Sequence, residues 1–232
     1  MASVSTASAL GSIRSPHVTK GEASVEYKGY RKGDDRKAQN NAQSHVVEIG
    51  YSPTDRLKLD AEGQWKRQSG SDIGFDLADI AARYALTEPG TFWIDSAVYS
   101  SYAWTEDKDA PQEVSLGLLL QKEYGKFTHR ANAYLTREVG DNHHTGVDVE
   151  TRYLAQYDYK DYLNPGIEWQ AEWGNTNDFD GQAHYVGPAA YGTIPVEIGA
   201  GELEYQLIYY RGVSDKAADN AIRWTVAYSL KF

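Results

Sequence analysis

The sequence predicts an all-β chain: an up-and-down antiparallel transmembrane β-barrel of about 12 strands. Three observations carry that prediction. Apolar and polar residues alternate with a period of two in segment after segment. The 232 residues include 18 Tyr and 6 Trp, rings that favour the lipid–water interface. No run approaches the roughly 18 apolar residues of a membrane-spanning helix; the unbroken apolar stretches are short, such as Leu118–Leu120. A mean hydropathy of −0.61 fits strands that are only half apolar.

The alternation is clearest in "LKLDAEGQWKRQ", which sets Leu57, Leu59, Ala61, Gly63 and Trp65 against Lys58, Asp60, Glu62, Gln64 and Lys66. "NPGIEWQAEWGN" sets Ile167, Trp169, Ala171 and Trp173 against Glu168, Gln170 and Glu172. "GELEYQLIYY" and "TGVDVETRYLAQYDY" repeat the pattern. An amphipathic helix would repeat every 3.6 residues and explains none of these segments. The predicted strands are 22–31, 43–52, 57–68, 75–86, 91–104, 113–124, 127–138, 146–159, 165–174, 182–191, 201–212 and 221–232. Short turns at "SPTD", "TEPG", "YGK" and "DYLNP" alternate with longer polar loops, as in a transmembrane barrel. "GTIPVEIGAG" breaks that rule, being long where a short turn is expected. With both ends of the chain on the short-turn side, the termini are expected in the periplasm. The soluble alternative is a secreted β-sandwich, or a lipocalin-like barrel with its apolar face inside.

The acidic balance, 33 Asp+Glu against 23 Lys+Arg, disfavours nucleic-acid binding, which needs a basic face. Without cysteine there is neither a disulfide framework nor a thiolate metal site. Residues 1–20 have no basic start and no long apolar core. They are read as an N-terminal tail outside the fold, a signal remnant or a disordered segment. Residues 21–232 form the barrel domain.

The chain ends "WTVAYSLKF", with Trp224, Val226, Tyr228, Leu230 and Phe232 on one face. An alternating last strand with a terminal Phe resembles the C-terminal signature of bacterial outer-membrane β-barrels. That resemblance implies insertion by the barrel-assembly machinery into a bilayer carrying lipopolysaccharide. More loosely, "SPHVTKGEASVEYKGY" and "HYVGPAAYG" resemble an uncharacterised group of proteobacterial outer-membrane proteins described as transporters.

The polar faces then become the lumen. Candidate lining residues include Asp60, Glu62, Arg130, Asp148, Glu150, Arg152, Glu168, Glu172, Glu202, Glu204 and Arg223, with Glu48, Asp79, Arg83 and Asp158 beside them. Eight strands make a filled interior and sixteen an open channel, so twelve allow a narrow pore. The alternative is a lumen closed by ion pairs across it. Some twelve-stranded families are porins for acidic sugars with Arg/Lys-lined lumens. Here acids outnumber bases, which favours small cationic or neutral polar solutes. The alternative function is a plugged barrel acting as an outer-membrane scaffold. The Ser–His pair of the twelve-stranded outer-membrane phospholipases needs a two-residue spacing. Only Ser15 and His17 have it, and they fall in the presumed tail. His129 falls on the lipid side with Phe127, Ala131 and Leu135. Asp141–His144 ("DNHH") is read as a solvated loop, adjacent residues being poor chelators. No catalytic, cofactor or metal site is therefore expected.

Overall fold

The computed structural model describes residues 10–37, 39–67, 70–107, 109–179, 182–196 and 201–232. Twelve strands follow one another: β1 Glu22–Gly33, β2 Gln43–Tyr51, β3 Leu57–Arg67, β4 Gly74–Ala85, β5 Asp95–Thr105, β6 Gln112–Tyr124, β7 Phe127–Val139, β8 Asp148–Tyr157, β9 Asn164–Asn175, β10 Ala183–Val196, β11 Gly201–Gly212 and β12 Asn220–Lys231. Each pairs antiparallel with its neighbours in sequence, and β1 pairs with β12 to close the barrel. The closing register runs from Glu22 opposite Lys231 to Gly33 opposite Asn220. Among the described residues no strand edge is left unpaired, which is how a barrel satisfies its backbone in lipid.

Side chains alternate across the wall. The outward positions expose Ile49, Leu59, Ile80, Val98, Leu116, Leu118, Leu135, Ile167, Leu207 and Val226. Tyr51, Tyr84, Tyr124, Phe127 and Phe232 ring the rim that holds the C-terminus. Trp65, Phe75 and Trp104 lie toward the far rim, where the Trp65 and Phe75 rings meet edge to face at 5.6 Å. A continuous aliphatic band between two aromatic girdles is a lipid-facing surface; water would not tolerate so large an apolar area. The lipocalin-like alternative, with apolar residues inside and charges outside, is excluded.

Three predicted features shift. β5 begins at Asp95, not residue 91. Gly90 takes a positive φ of 73°, and Phe92 and Trp93 splay outward at the rim, 62% and 78% exposed. Their apolar character suits the girdle and mimics a strand in the sequence. β10 runs on through Val196, with Thr193 opposite Glu204 and Pro195 opposite Glu202. Most of the anomalous "GTIPVEIGAG" connection is thus strand, and residues 197–200 lie outside the described residues. Within β10, Pro188 faces outward and lacks an N–H, and the β10–β11 register skips from Val186–Arg211 to Ala189–Ile208. Asp158, expected inward on β8, falls in the β8–β9 turn.

At the far rim the β1–β2 and β11–β12 loops are tied together. The Arg36 guanidinium donates to the Asp34 carboxylate at 2.6 Å and to the carbonyls of Asp215 and Ala217. Those hydrogen bonds from Arg36 hold the Asp34 carboxyl down to about 2, from an ordinary 3.8.

Candidate functional site

The lumen is occupied. Residues 10–18, which the sequence placed outside the fold, lie inside the barrel, and Thr19 and Lys20 are exposed where the chain turns into β1. Leu10, Ile13 and Pro16 are buried there. The chain leaves β1 at Gly21, whose carbonyl accepts the Phe232 N–H at 3.0 Å. It then runs back through the lumen. His17 meets Asp95, the first residue of β5 (2.8 Å). Leu10 ends among Tyr30, Tyr185, Ile208, Tyr210 and Ala218, toward the far rim.

The wall holds this segment largely through its main chain. Gln170 and Arg223 donate to the Gly11 carbonyl at 3.0 and 3.2 Å, and Arg152 to that of Ser12 at 2.8 Å. Asn132 accepts the Arg14 N–H at 2.7 Å and donates to the Arg14 carbonyl at 3.0 Å, as a neighbouring strand would. Arg83 donates to the Ser15 carbonyl. Ser15 Oγ donates to Gln121 at 3.1 Å. A Cβ on Gly11 would come within 2.2 Å of the Arg152 guanidinium, so that position requires glycine or a displaced arginine.

The Arg14 side chain faces the opposite wall. Register places Glu26 opposite Glu48, Glu48 opposite Glu62 and Glu62 opposite Asp79. Four acids therefore stand side by side on adjacent strands. Glu26 and Glu204 both pair with Ala227, which carries the row on to β11. Like charges directly opposite destabilise a sheet, so this row needs cations. Lys28 Nζ supplies one, 2.5 Å from Glu48, 3.1 Å from Glu62 and 3.4 Å from Glu26. Arg14 supplies another, 3.0 Å from Glu48, 3.8 Å from Glu62 and 4.0 Å from Asp60.

The predicted lining residues occupy inward strand positions but differ in state. Asp60 and Glu150 are buried; Glu62, Arg130, Asp148, Arg152 and Glu172 are half-buried. Glu150 is spent on Arg152 (2.5 Å). Arg130 donates to Gln121 at 2.7 Å, and Asp148 accepts from Asn175 at 3.3 Å. Glu168 is sealed: fully buried, it accepts from Arg223 (2.5 Å), Gln170 (3.1 Å) and the Tyr191 and Tyr210 hydroxyls. Arg223 is equally buried. Glu202 and Glu204, by contrast, are exposed. A cavity of about 160 Å³ remains beside the segment, bordered by Arg14, Lys28, Glu62, Asp79, Glu113 and Glu150. On the closing strand, Trp224, Val226, Tyr228, Leu230 and Phe232 take the outward positions, with Arg223, Thr225 and Ala227 buried inward.

Sequence reasoning missed Arg14, Asn132, Gln121 and the lumenal tyrosines. One signal was present: Ile208 interrupts the polar face of β11, and it is buried in the same apolar cluster as Leu10. Among the described residues the histidines make no nucleophile–base pair. His17 directs its ring to Asp95, while its N–H donates to Ser15 Oγ at 3.2 Å. The His129 ring and the Tyr153 hydroxyl share a hydrogen bond of 2.7 Å on the outward face. In the "DNHH" loop the His143 ring meets the Gly140 carbonyl and the His144 N–H meets Glu138, both at 2.7 Å.

No protein-family model matches the chain, and no curated protein matches it. Solved structures do. A KdgM porin is similar over 90% of this chain and 99% of its own, at 9% identity and a TM-score of 0.54. CdiB from Escherichia coli matches over 90% of this chain and 63% of its own, at 9% identity and 0.48. A bacterial polysaccharide outer membrane secretin matches over 93% and 100%, at 10% identity and 0.44. The first likeness, together with the lipid-facing belt and closed twelve-stranded topology, shows the fold of a bacterial outer-membrane β-barrel.

Proposed function

We propose that the protein is an outer-membrane channel for passive diffusion of small polar solutes, cationic or neutral, with residues 10–18 in its lumen at rest. The observation that carries this reading is the lining. Charged and hydrogen-bonding side chains occupy many of the inward positions of the strands, and a hollow bordered by Arg14, Lys28, Glu62 and Asp79 remains beside the segment. A purely structural barrel could fill its interior with apolar side chains. In this reading the rim holding Phe232 faces the periplasm and the acidic loops face outward, where they meet lipopolysaccharide. The second reading, a plugged scaffold, is favoured by the density of bonds that hold residues 10–20.

Planar-bilayer recording of the purified full chain separates the two. Discrete openings under applied voltage are expected. Silence in the wild type and in variants that loosen residues 10–20 would leave the scaffold.

A further inference from the structure

We infer that the lumen is a binding site for an extended polypeptide carrying a guanidinium side chain, and that residues 10–18 are its resident occupant. This goes beyond solute passage and stands whether or not the lumen conducts.

The site is built from two kinds of recognition on opposite walls. On one wall, side chains from β7, β8, β9 and β12 bond main-chain groups of Gly11, Ser12 and Arg14, while Arg83 on β4, the strand that also carries Asp79, takes the Ser15 carbonyl. Every residue has a main-chain carbonyl, so these bonds recognise an extended peptide as such. Asn132 takes both main-chain groups of a single residue, which fixes register. On the other wall, the row Glu26–Glu48–Glu62–Asp79 asks for a cation, and Arg14 lies against it. Arginine presents several donors in a planar fork, and Arg14 reaches Glu48 through both terminal nitrogens. The remaining selectivity comes from apolar contacts at Leu10 and Ile13 and from the lack of room for a side chain at Gly11. None of these contacts depends on the occupant being joined to β1. The tether only raises its local concentration.

The test uses the full chain with Arg14→Glu, which sets a fifth carboxylate against the acid row and drives the segment out. Arg14→Gln is the milder second variant should Arg14→Glu not fold, folding being judged by heat-modifiable mobility. The probe is a fluorescein-labelled synthetic peptide of sequence ALGSIRSPHVTK, residues 9–20. Its binding is followed by anisotropy in detergent. We expect the peptide to bind the variant at least tenfold more tightly than the wild type, whose site is filled. The same peptide with glutamate in place of its arginine should not bind. Failure of the native peptide to bind either folded variant, or equal binding of the glutamate peptide, overturns the inference. Bilayer currents keep the two proposals apart. A variant that binds the peptide but never conducts sinks the channel and leaves the peptide site. One that conducts and is neither bound nor blocked by the peptide does the reverse.

Discussion

Two arginines in the lumen illustrate how differently one side chain can serve. Arg223 is fully buried and bonded to a fully buried Glu168, whose oxygens also take two tyrosine hydroxyls and Gln170. Neither charge can reach water without dismantling the cluster. Removing one partner of such a pair strands the other, at a cost of roughly 3–5 kcal/mol. Glu168→Gln should therefore lower the unfolding free energy, measured by urea denaturation, by an amount of that order. Glu168→Gln combined with Arg223→Met should recover part of the loss, since an apolar side chain no longer needs a counter-charge. A loss below about 1 kcal/mol for the single variant would mean that water reaches the cluster. Arg14 also neutralises acids, but its segment is joined to the barrel on one side through Gly21 and held otherwise by noncovalent contacts. Its loss should be read out as occupancy rather than as unfolding.

At the level of elements, the closing strand links the terminal sequence to assembly. Phe232 is 85% exposed on the outward face, and its N–H bonds Gly21 across the seam. At the rim a carboxylate costs little in folded stability, because the lipid penalty falls to about 0–1 kcal/mol near the interface. Phe232→Asp should thus cut the yield of heat-modifiable barrel several-fold relative to Lys231→Ala. The unfolding midpoint of the barrels that do form should stay unchanged. Equal yields would remove any assembly role from the terminal ring. The strands themselves were legible because the period-two pattern is local: Leu59 and Asp60 declare their sides with no knowledge of the rest of the chain. The exceptions have separate causes. Phe92 and Trp93 are apolar for the lipid interface rather than for a strand. Thr193 to Val196 look like a loop because they contain Pro195, yet they pair with β11. The occupied lumen left only one trace in the sequence, Ile208 on the polar face of β11. Residues 10–20 show no period, and Arg14 finds its main-chain partner Asn132 at 118 residues' separation. Only the closed barrel brings such partners together.

For the whole molecule, the question is where an acidic chain leaves its field unneutralised. The formal net charge is −10, but the central acids are matched: Glu48 by Lys28 and Arg14, Glu150 by Arg152, Glu168 by Arg223. From the sequence, Glu168, Glu172, Glu202 and Glu204 are all candidate lining residues with the same facing. The structure separates them, sealing Glu168 and leaving Glu202 and Glu204 exposed on inward positions toward the Phe232 rim. In water a carboxylate about 7 Å from a permeating cation contributes about 0.6 kcal/mol before screening, roughly threefold in local concentration. Two such groups at a mouth give a modest cation preference. Glu202→Gln together with Glu204→Gln keeps their size and hydrogen bonding and removes the charge. Cation-over-anion permeability should fall toward unity while openings persist. The comparison is made in the wild type if it opens, or in the Arg14→Gln background if the segment must first be loosened, with both proteins in the same background. Because the groups are wet, the preference should also shrink between 0.1 and 1 M salt, as the screening length falls from about 10 to about 3 Å. Reversal potentials across a salt gradient measure both effects. A cation preference indifferent to the two substitutions would place the controlling field deeper in the lumen, at the acid row that Arg14 faces, and an anion-preferring parent would mean that lumenal bases rather than these acids set it.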